Sequence, residues 1–397
     1  MSVLAESSTP DREALVARAG ELVPLLRGNT AVTREARRVA DDNIAALSEA
    51  GLFGLLQPRR WGGLEADFRT HLDVVAKVAE GCASTGWVLG VGQIHGWLAM
   101  QFSERAQAEI FAGNPDARVA GVPPPRGTAR QVGVGFEISG FWPFGSGCDH
   151  SDWILLGAVV EGLPPGTAEM VFLVPINDVE IMDDWNVGGL RGTGSHSVRA
   201  ERLFVPKHRA VGFAAALSDS GPGRDVNPGP LYRSAAVPAM VLALTGTALG
   251  AAEMALGEFI ARLPGRQVAY MDDLAQDHWS VTRTQVAEAR TKIDIARMLL
   301  ERVADDIDHW AAAGRDMPLA VRARTRTDAS WAVRQCLEAV EVLYLASGGS
   351  ALAHSNPIQL AQQDIHAVNL HGIMTLETSL DVYGRVLLGQ DPGTKAV

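Results

Sequence analysis

The sequence predicts a mainly helical protein with a small β domain set into its middle. Three observations carry that expectation. Val286, Ala289, Ile293, Ala296, Leu300, Val303, Ile307 and Trp310 are spaced alternately three and four apart, the apolar seam of a left-handed helix bundle. Between residue 118 and about residue 211 that period vanishes, and short apolar runs bounded by Gly, Pro and Asp replace it. The order of helices, then strands, then helices is not a βαβ alternation, which disfavours a Rossmann fold.

The elements follow in order. Thr9-Pro10-Asp11 reads as an N-cap with proline at the first helical position. The helix after it carries Leu15, Ala19, Leu22, Val23 and Leu26 on one face. A second helix places Ala36, Val39, Ala40, Ile44 and Leu47 at the same period, and Gly51 closes it as a C′ glycine. A third helical tract spans 70–89 and a fourth 103–112. Residues 1–115 are therefore expected to form an N-terminal helical domain. Residues 116–217 are expected to form the β domain, with strands at 131–139, 153–160, 170–174 and 197–205. Trp153-Ile154-Leu155-Leu156 and Met170-Val171-Phe172-Leu173-Val174 are apolar on successive residues, as strands buried on both faces are. Residues 218–230, SDSGPGRDVNPGP, have the composition of a linker. Residues 231–397 read as a four-helix bundle, with helices near 232–262, along the seam, and at 319–346 and 361–388.

Composition narrows the function classes. The chain has 397 residues, enough for two or three domains, and is 47% hydrophobic with 20% charged residues, a globular balance. A net charge of -11 argues against non-specific nucleic-acid binding, which needs a basic footprint. No uninterrupted apolar run of about 18 residues is seen, so no membrane-spanning helix is expected. The start, MSVLAESSTPDREAL, lacks the basic and apolar regions of a signal peptide. Cys82, Cys148 and Cys336 lie far apart with no CxxC pair, which points to reduced thiols in a cytoplasmic protein rather than a disulfide framework or a zinc site. No metal is expected.

Gly145-Ser146-Gly147 and Gly192-Thr193-Gly194 begin like dinucleotide fingerprints but lack the third glycine. The segment 141–153 gathers Phe141, Trp142, Phe144 and Trp153 with Ser146 and Ser151 between two expected strands. Aromatics can wall a flat heterocycle and a serine hydroxyl can bond a ring nitrogen, although a β-turn with core aromatics has the same composition. His95 lies in Gln93-Ile94-His95-Gly96-Trp97, and His366 and His371 lie five residues apart. On one ideal helix five residues turn the side chain by about 140°, so these two do not share a pocket and at most one is catalytic. The same spacing excludes an i,i+4 metal pair. There is no GxSxG elbow, no HExxH and no P-loop.

Several strings resemble the acyl-CoA dehydrogenase superfamily, over about residues 34–393. They are Ala50-Gly51-Leu52-Phe53-Gly54 followed by Pro58 and Gly62-Gly63-Leu64, then Trp185 with Gly189-Leu190-Arg191-Gly192-Thr193, and Gly348-Gly349. The resemblance implies a fold of N-terminal helical domain, small β-barrel domain and C-terminal four-helix bundle. Dehydrogenation in that family needs a carboxylate base. The matching place reads His371-Gly372-Ile373, and no Asp or Glu stands between Arg233 and Ala252, the alternative location. Ala83-Ser84-Thr85-Gly86-Trp87-Val88, the stretch 140–153, Gly192-Thr193-Gly194-Ser195-His196 and Asp364-Ile365-His366-Ala367 through His371 resemble the oxygenase branch instead. That branch comprises the oxygenase components of group D two-component flavin-dependent monooxygenases, similar to 4-hydroxyphenylacetate 3-hydroxylase and aromatic polyketide hydroxylases. Gln363 departs from the pattern, which has arginine before the aspartate.

The resemblance implies reduced flavin (FMNH2 or FADH2) from a separate NAD(P)H:flavin reductase, O2 as co-substrate, and a C4a-hydroperoxide that hydroxylates a small aromatic substrate. It further implies a homotetramer; the cytoplasmic setting and the lack of nucleic-acid and membrane partners are the expectations from composition given above. N- or S-oxygenation on the same scaffold is the alternative; a dehydrogenase-like or non-catalytic flavin-binding protein is the third reading. Carried over residue by residue, Ser146 meets flavin N5, with Phe144 and Gly147 beside it and Trp142 and Trp185 near the ring. His371 faces the C4a edge and His95 approaches the substrate hydroxyl. Arg266, Gly348, Gly349 and Ser350 meet phosphates, across a subunit interface.

Overall fold

The computed structural model describes residues 11–218 and 220–397. Thr9 and Pro10, read above as a helix start, lie outside them. Within them it is Asp11 that caps α1 (Arg12–Gly28), its carboxylate accepting the Ala14 N–H at 2.7 Å. The single second helix expected is two, α2 (Thr30–Ala36) and α3 (Asp41–Glu49), because Arg37 takes a left-handed φ of 58° and ends the first. α3 closes as expected: Gly51, at φ 69°, donates to the Ser48 carbonyl and Leu52 to that of Leu47. The third tract is also two helices, α4 (Phe68–Gly81) and α5 (Ala83–Ala99), broken where Cys82 becomes extended. Gly81 permits the break's close seat: a Cβ there would lie 2.8 Å from that of Leu26 in α1. α6 (Glu104–Phe111) is capped by Ser103.

The expected small barrel takes the form of one seven-stranded sheet. Its strands are β1 (Val119–Val132), β2 (Gly135–Trp142), β3 (Trp153–Val160), β4 (Glu169–Pro175), β5 (Glu180–Ile181), β6 (Val198–Pro206) and β7 (Ala210–Gly212). The order is β5-β6-β2-β1-β3-β4-β7. The strand expected at 131–139 is the tip of the β1–β2 hairpin, turned at Gly133 with φ 54°. β1 itself was hidden by Pro123-Pro124-Pro125, which argues against a strand. Register shifts on either side of Pro125, in the parallel pairing with β3, absorb those prolines. β3 and β4 are the central buried strands their apolar runs foretold.

After α7 (Phe213–Ala216), the described residues 220–230 of the expected linker are not a free segment. Asn227 is buried and donates to the Met100 carbonyl and to Gln107. Gly223 lies so close that a Cβ would sit 1.8 Å from the Met100 oxygen. The bundle is α8 (Ala236–Ala261), α9 (Ser280–Ala312), α10 (Leu319–Ala346), α11 (Pro357–Asn369) and α12 (Leu376–Leu387). α9 buries Ala289, Ile293, Ala296, Leu300, Val303 and Ile307 of the seam. α8 does reach the length and apolar character of a membrane span, but 83% of its most apolar window is buried among neighbouring helices. α4 and α5 lie against α8, and α5 also covers β1, so α5 joins the bundle to the sheet. The helix expected over 361–388 is interrupted at 370–375, and His371 stands in the interruption.

Candidate functional site

The turn that follows β2 is laced to a second turn at 190–196. Gly145 donates to the His196 carbonyl at 2.9 Å and Gly147 to that of Thr193 at 3.0 Å. Gly147 has φ 71°, and a Cβ there would meet Val88 of α5 at 3.0 Å, so glycine is required on both counts. Phe144 also has a left-handed φ, 70°, although it is not glycine and its ring is 63% exposed. Its ring stands edge-on to Trp185 at 6.2 Å.

Ser146 lies at the bottom of this turn. Its Oγ accepts the Trp87 indole N–H at 3.1 Å and is 2.7 Å from the Ser195 hydroxyl. Ser195 is 2.7 Å from the Thr193 hydroxyl, which donates to the Leu190 carbonyl at 2.9 Å. The same carbonyl accepts the Trp185 indole N–H at 3.2 Å. Leu190, at φ 49°, is held through its own N–H by Asp364 Oδ1 at 2.6 Å. Asp364 lies 3.6 Å from Arg34 of α2, and Arg34 also donates to Gln363 Oε1 at 3.1 Å. The cation that Gln363 does not supply therefore comes from α2. Burial pushes the Asp364 carboxyl up to about 6, with Arg34 opposing.

His371 sits where α11 has ended, 6.0 Å from the Trp87 ring. It keeps surface open to solvent, yet most of its surroundings are protein, as for a side chain on the wall of a cleft. That burial lowers its imidazole pKa. His366 is elsewhere, bonded to Glu341 at 2.9 Å on the side of the bundle. The two histidines are separate as expected, but a break in the chain divides them, not the phase of one helix. His95 lies about two turns beyond Trp87 on α5. It is buried, its Nδ1 has no partner, and burial pulls its pKa down to about 4. Its ring fills the space beside Gly121 of β1, where a Cβ would come within 3.1 Å.

Trp142 does not join this group. It is fully buried in the core of the sheet, donates to the Gly157 carbonyl at 2.7 Å, and lies over Gly127 and Gly140. No ligand face reaches a side chain so enclosed, so its expected place near the flavin ring is withdrawn. Arg266, Gly348, Gly349 and Ser350 form a second group at the end of α10, where Arg266 donates to the Ser347 carbonyl and to Ser350 Oγ. Among the described residues no hydrogen bond or ion pair joins it to Ser146. Trp87, Ser195, Thr193, Arg34 and Gly121 were not assigned roles from sequence; their significance is tertiary, and only the strings containing Trp87, Thr193 and Ser195 drew notice.

The first group suits a flat, partly polar ring. Phe144, exposed, and Trp185, half-buried, stand beside a turn whose glycines allow close approach to Ser146, and among the described residues the His371 ring has no hydrogen-bond partner. Comparison with known proteins agrees. Residues 19–112 match the acyl-CoA dehydrogenase N-terminal domain and residues 242–375 the acyl-CoA dehydrogenase C-terminal domain. The chain belongs to the acyl-CoA dehydrogenase family. The oxygenase subunit HsaA of a flavin-dependent monooxygenase from Rhodococcus jostii (strain RHA1) is 36% identical over 91% of this chain and 95% of its own. The oxygenase component of the FADH2-dependent resorcinol hydroxylase from Rhizobium sp. (strain MTP-10005) is 34% identical over 95% of each. The solved 3-HSA hydroxylase of Rhodococcus sp. RHA1 superposes with a TM-score of 0.91 at 33% identity, covering 98% of this chain and 100% of that one. XiaF from Streptomyces sp., in complex with FADH2 and glycerol, gives 0.92 at 30%, covering 97% and 98%. Within the family, then, this chain is an oxygenase component of the two-component flavin-dependent monooxygenases.

Proposed function

We propose that this chain hydroxylates a small phenolic or polycyclic aromatic substrate, using O2 and reduced flavin delivered by a separate NAD(P)H:flavin reductase. FADH2 is favoured over FMNH2, since it is named with two of the similar proteins. The observation that carries the aromatic reading is His95: a buried, neutral imidazole with an unpartnered Nδ1. An orphaned buried polar atom costs about 1–3 kcal/mol, a cost removed when a substrate hydroxyl pairs with it.

Flavin, when bound, supplies the electrons and the activation of O2. The chain's own residues bind and orient. Phe144 and Trp185 wall the ring, and Ser146 meets its polar edge. His371, neutral because burial lowers its pKa, holds or passes a proton at the cleft and limits the entry of water. His95, with its pKa near 4, is a poor proton acceptor, so it orients a phenol by accepting its hydrogen bond. The Arg266 group binds phosphate from a neighbouring copy. That last role, with the exposed Leu345, Leu352, Leu370, Leu387 and Leu388 on the bundle side, supports a homotetramer. Sedimentation should give the mass of four chains; a monomer at micromolar concentration would overturn the assembly. The free, buried thiols Cys82, Cys148 and Cys336 fit a cytoplasmic setting.

A substrate panel tests the reading. Phenols should be hydroxylated on the ring, and His95→Ala should lower kcat/KM for them about tenfold, one hydrogen bond's worth. Non-phenolic aromatics should lose much less. Equal losses would assign His95 to packing alone, and oxygenation of amines or thioethers without phenol turnover would favour the alternative chemistry.

A further inference from the structure

The hydroxyl chain beneath the site has a fixed direction. Trp87 Nε1 is a donor only, so it donates to Ser146 Oγ. The Leu190 carbonyl is an acceptor only, so Thr193 spends its one hydroxyl proton there. Thr193 must then accept from Ser195, and Ser195, its proton used, must accept from Ser146. The protons run Ser146 to Ser195 to Thr193 to Leu190, with no freedom at any link. Ser146 is left with one unused feature, a lone pair. It has no proton to offer.

That asymmetry bears on which form of the cofactor the site accepts. Reduced flavin carries a proton on N5; oxidised flavin presents a lone pair there. We propose that Thr193, Ser195 and Trp87, by ordering this chain, make the site select reduced over oxidised flavin. Thr193 is the decisive positioning residue, since it ends the chain on a group that cannot turn round. The inference rests on the reading that Ser146 meets N5. Selection of this kind would let the oxygenase take the reductase's product and release the spent cofactor.

The test measures the dissociation constants of oxidised and reduced flavin separately, the latter without oxygen. Thr193→Val removes the terminal donor with little change of shape and frees the Ser146 proton to face outward. The preference for reduced flavin should fall on the order of a hundredfold, about tenfold for the hydrogen bond gained by the oxidised form and about tenfold for the one lost by the reduced. Thr193→Ser keeps the hydroxyl and should retain the wild-type ratio. Ser146→Ala separates the two ways of failing. If it shifts flavin affinity while Thr193→Val leaves the ratio unchanged, the ordering idea is wrong. If Ser146→Ala moves neither constant, Ser146 does not face the ring, and the underlying placement fails with it.

Discussion

Replacing His371 with alanine should separate flavin oxidation from product formation. Reduced flavin would still be consumed, but product per flavin should fall on the order of a hundredfold, the lower range for losing a positioned proton-transfer group. Hydrogen peroxide should make up the difference. The imidazole stands in the gap between α11 and α12, 6.0 Å from the Trp87 ring, where alanine would open a path for water and leave no group to hold a proton. Parallel assays of flavin oxidation, peroxide and product check it, and unchanged coupling would remove His371 from the mechanism. The pH profile carries a sign. Burial lowers the imidazole pKa from its usual 6.5, so the neutral ring is already dominant at neutral pH. Coupling in the wild type should decline on the acid side, where the ring takes up a proton, and not on the alkaline side.

Asp364→Ala should be the most destabilising of the substitutions considered. It leaves the Leu190 N–H without an acceptor and Arg34 without its buried counter-charge. Breaking a buried pair from one side costs about 3–5 kcal/mol. Urea denaturation reads this directly, and a midpoint equal to wild type would refute it. Asp364→Asn should cost less, since it keeps an oxygen for Leu190 and removes a charge whose burial is itself unfavourable, as the pKa raised to about 6 shows. Because the folded pKa lies above the unfolded 3.8, this group's own ionisation favours the fold fully below 3.8, and the benefit is lost as pH rises through about 6. Flavin affinity should weaken alongside stability in the alanine variant, because Trp185 and the Thr193 hydroxyl both anchor on Leu190.

What the sequence disclosed depended on whether a residue's surroundings were local. The α9 seam, the two-sided burial of β3 and β4 and the glycine closing α3 are properties of short windows, and each was legible. The breaks at Arg37, Cys82 and 370–375 were not, because tertiary contacts impose them and no proline announces them. β1 was concealed by its three prolines, whose cost a register shift removes. In the site, the string around Ser146 stood out by composition, but the place the resemblance implied for Trp142 is not where its side chain lies, since an aromatic facing a site and one under a sheet look alike in sequence. Arg34 supplying the charge absent at Gln363 was invisible for another reason: 329 positions separate the two.

The strap at 220–230 ties the opening helices to chain that follows them by more than a hundred positions. The Met100 and Gln101 carbonyls receive Asn227 and Gly223, and the Trp97 indole finds its acceptor only at Leu231. Tyr232 closes on the Leu56 carbonyl, 176 positions earlier. The opening helices thus emerge from synthesis with part of their hydrogen bonding owed to segments not yet translated. Such long-range closure slows folding. A fragment ending at 217 would lack the groups that meet Leu56, Trp97, Met100 and Gln101.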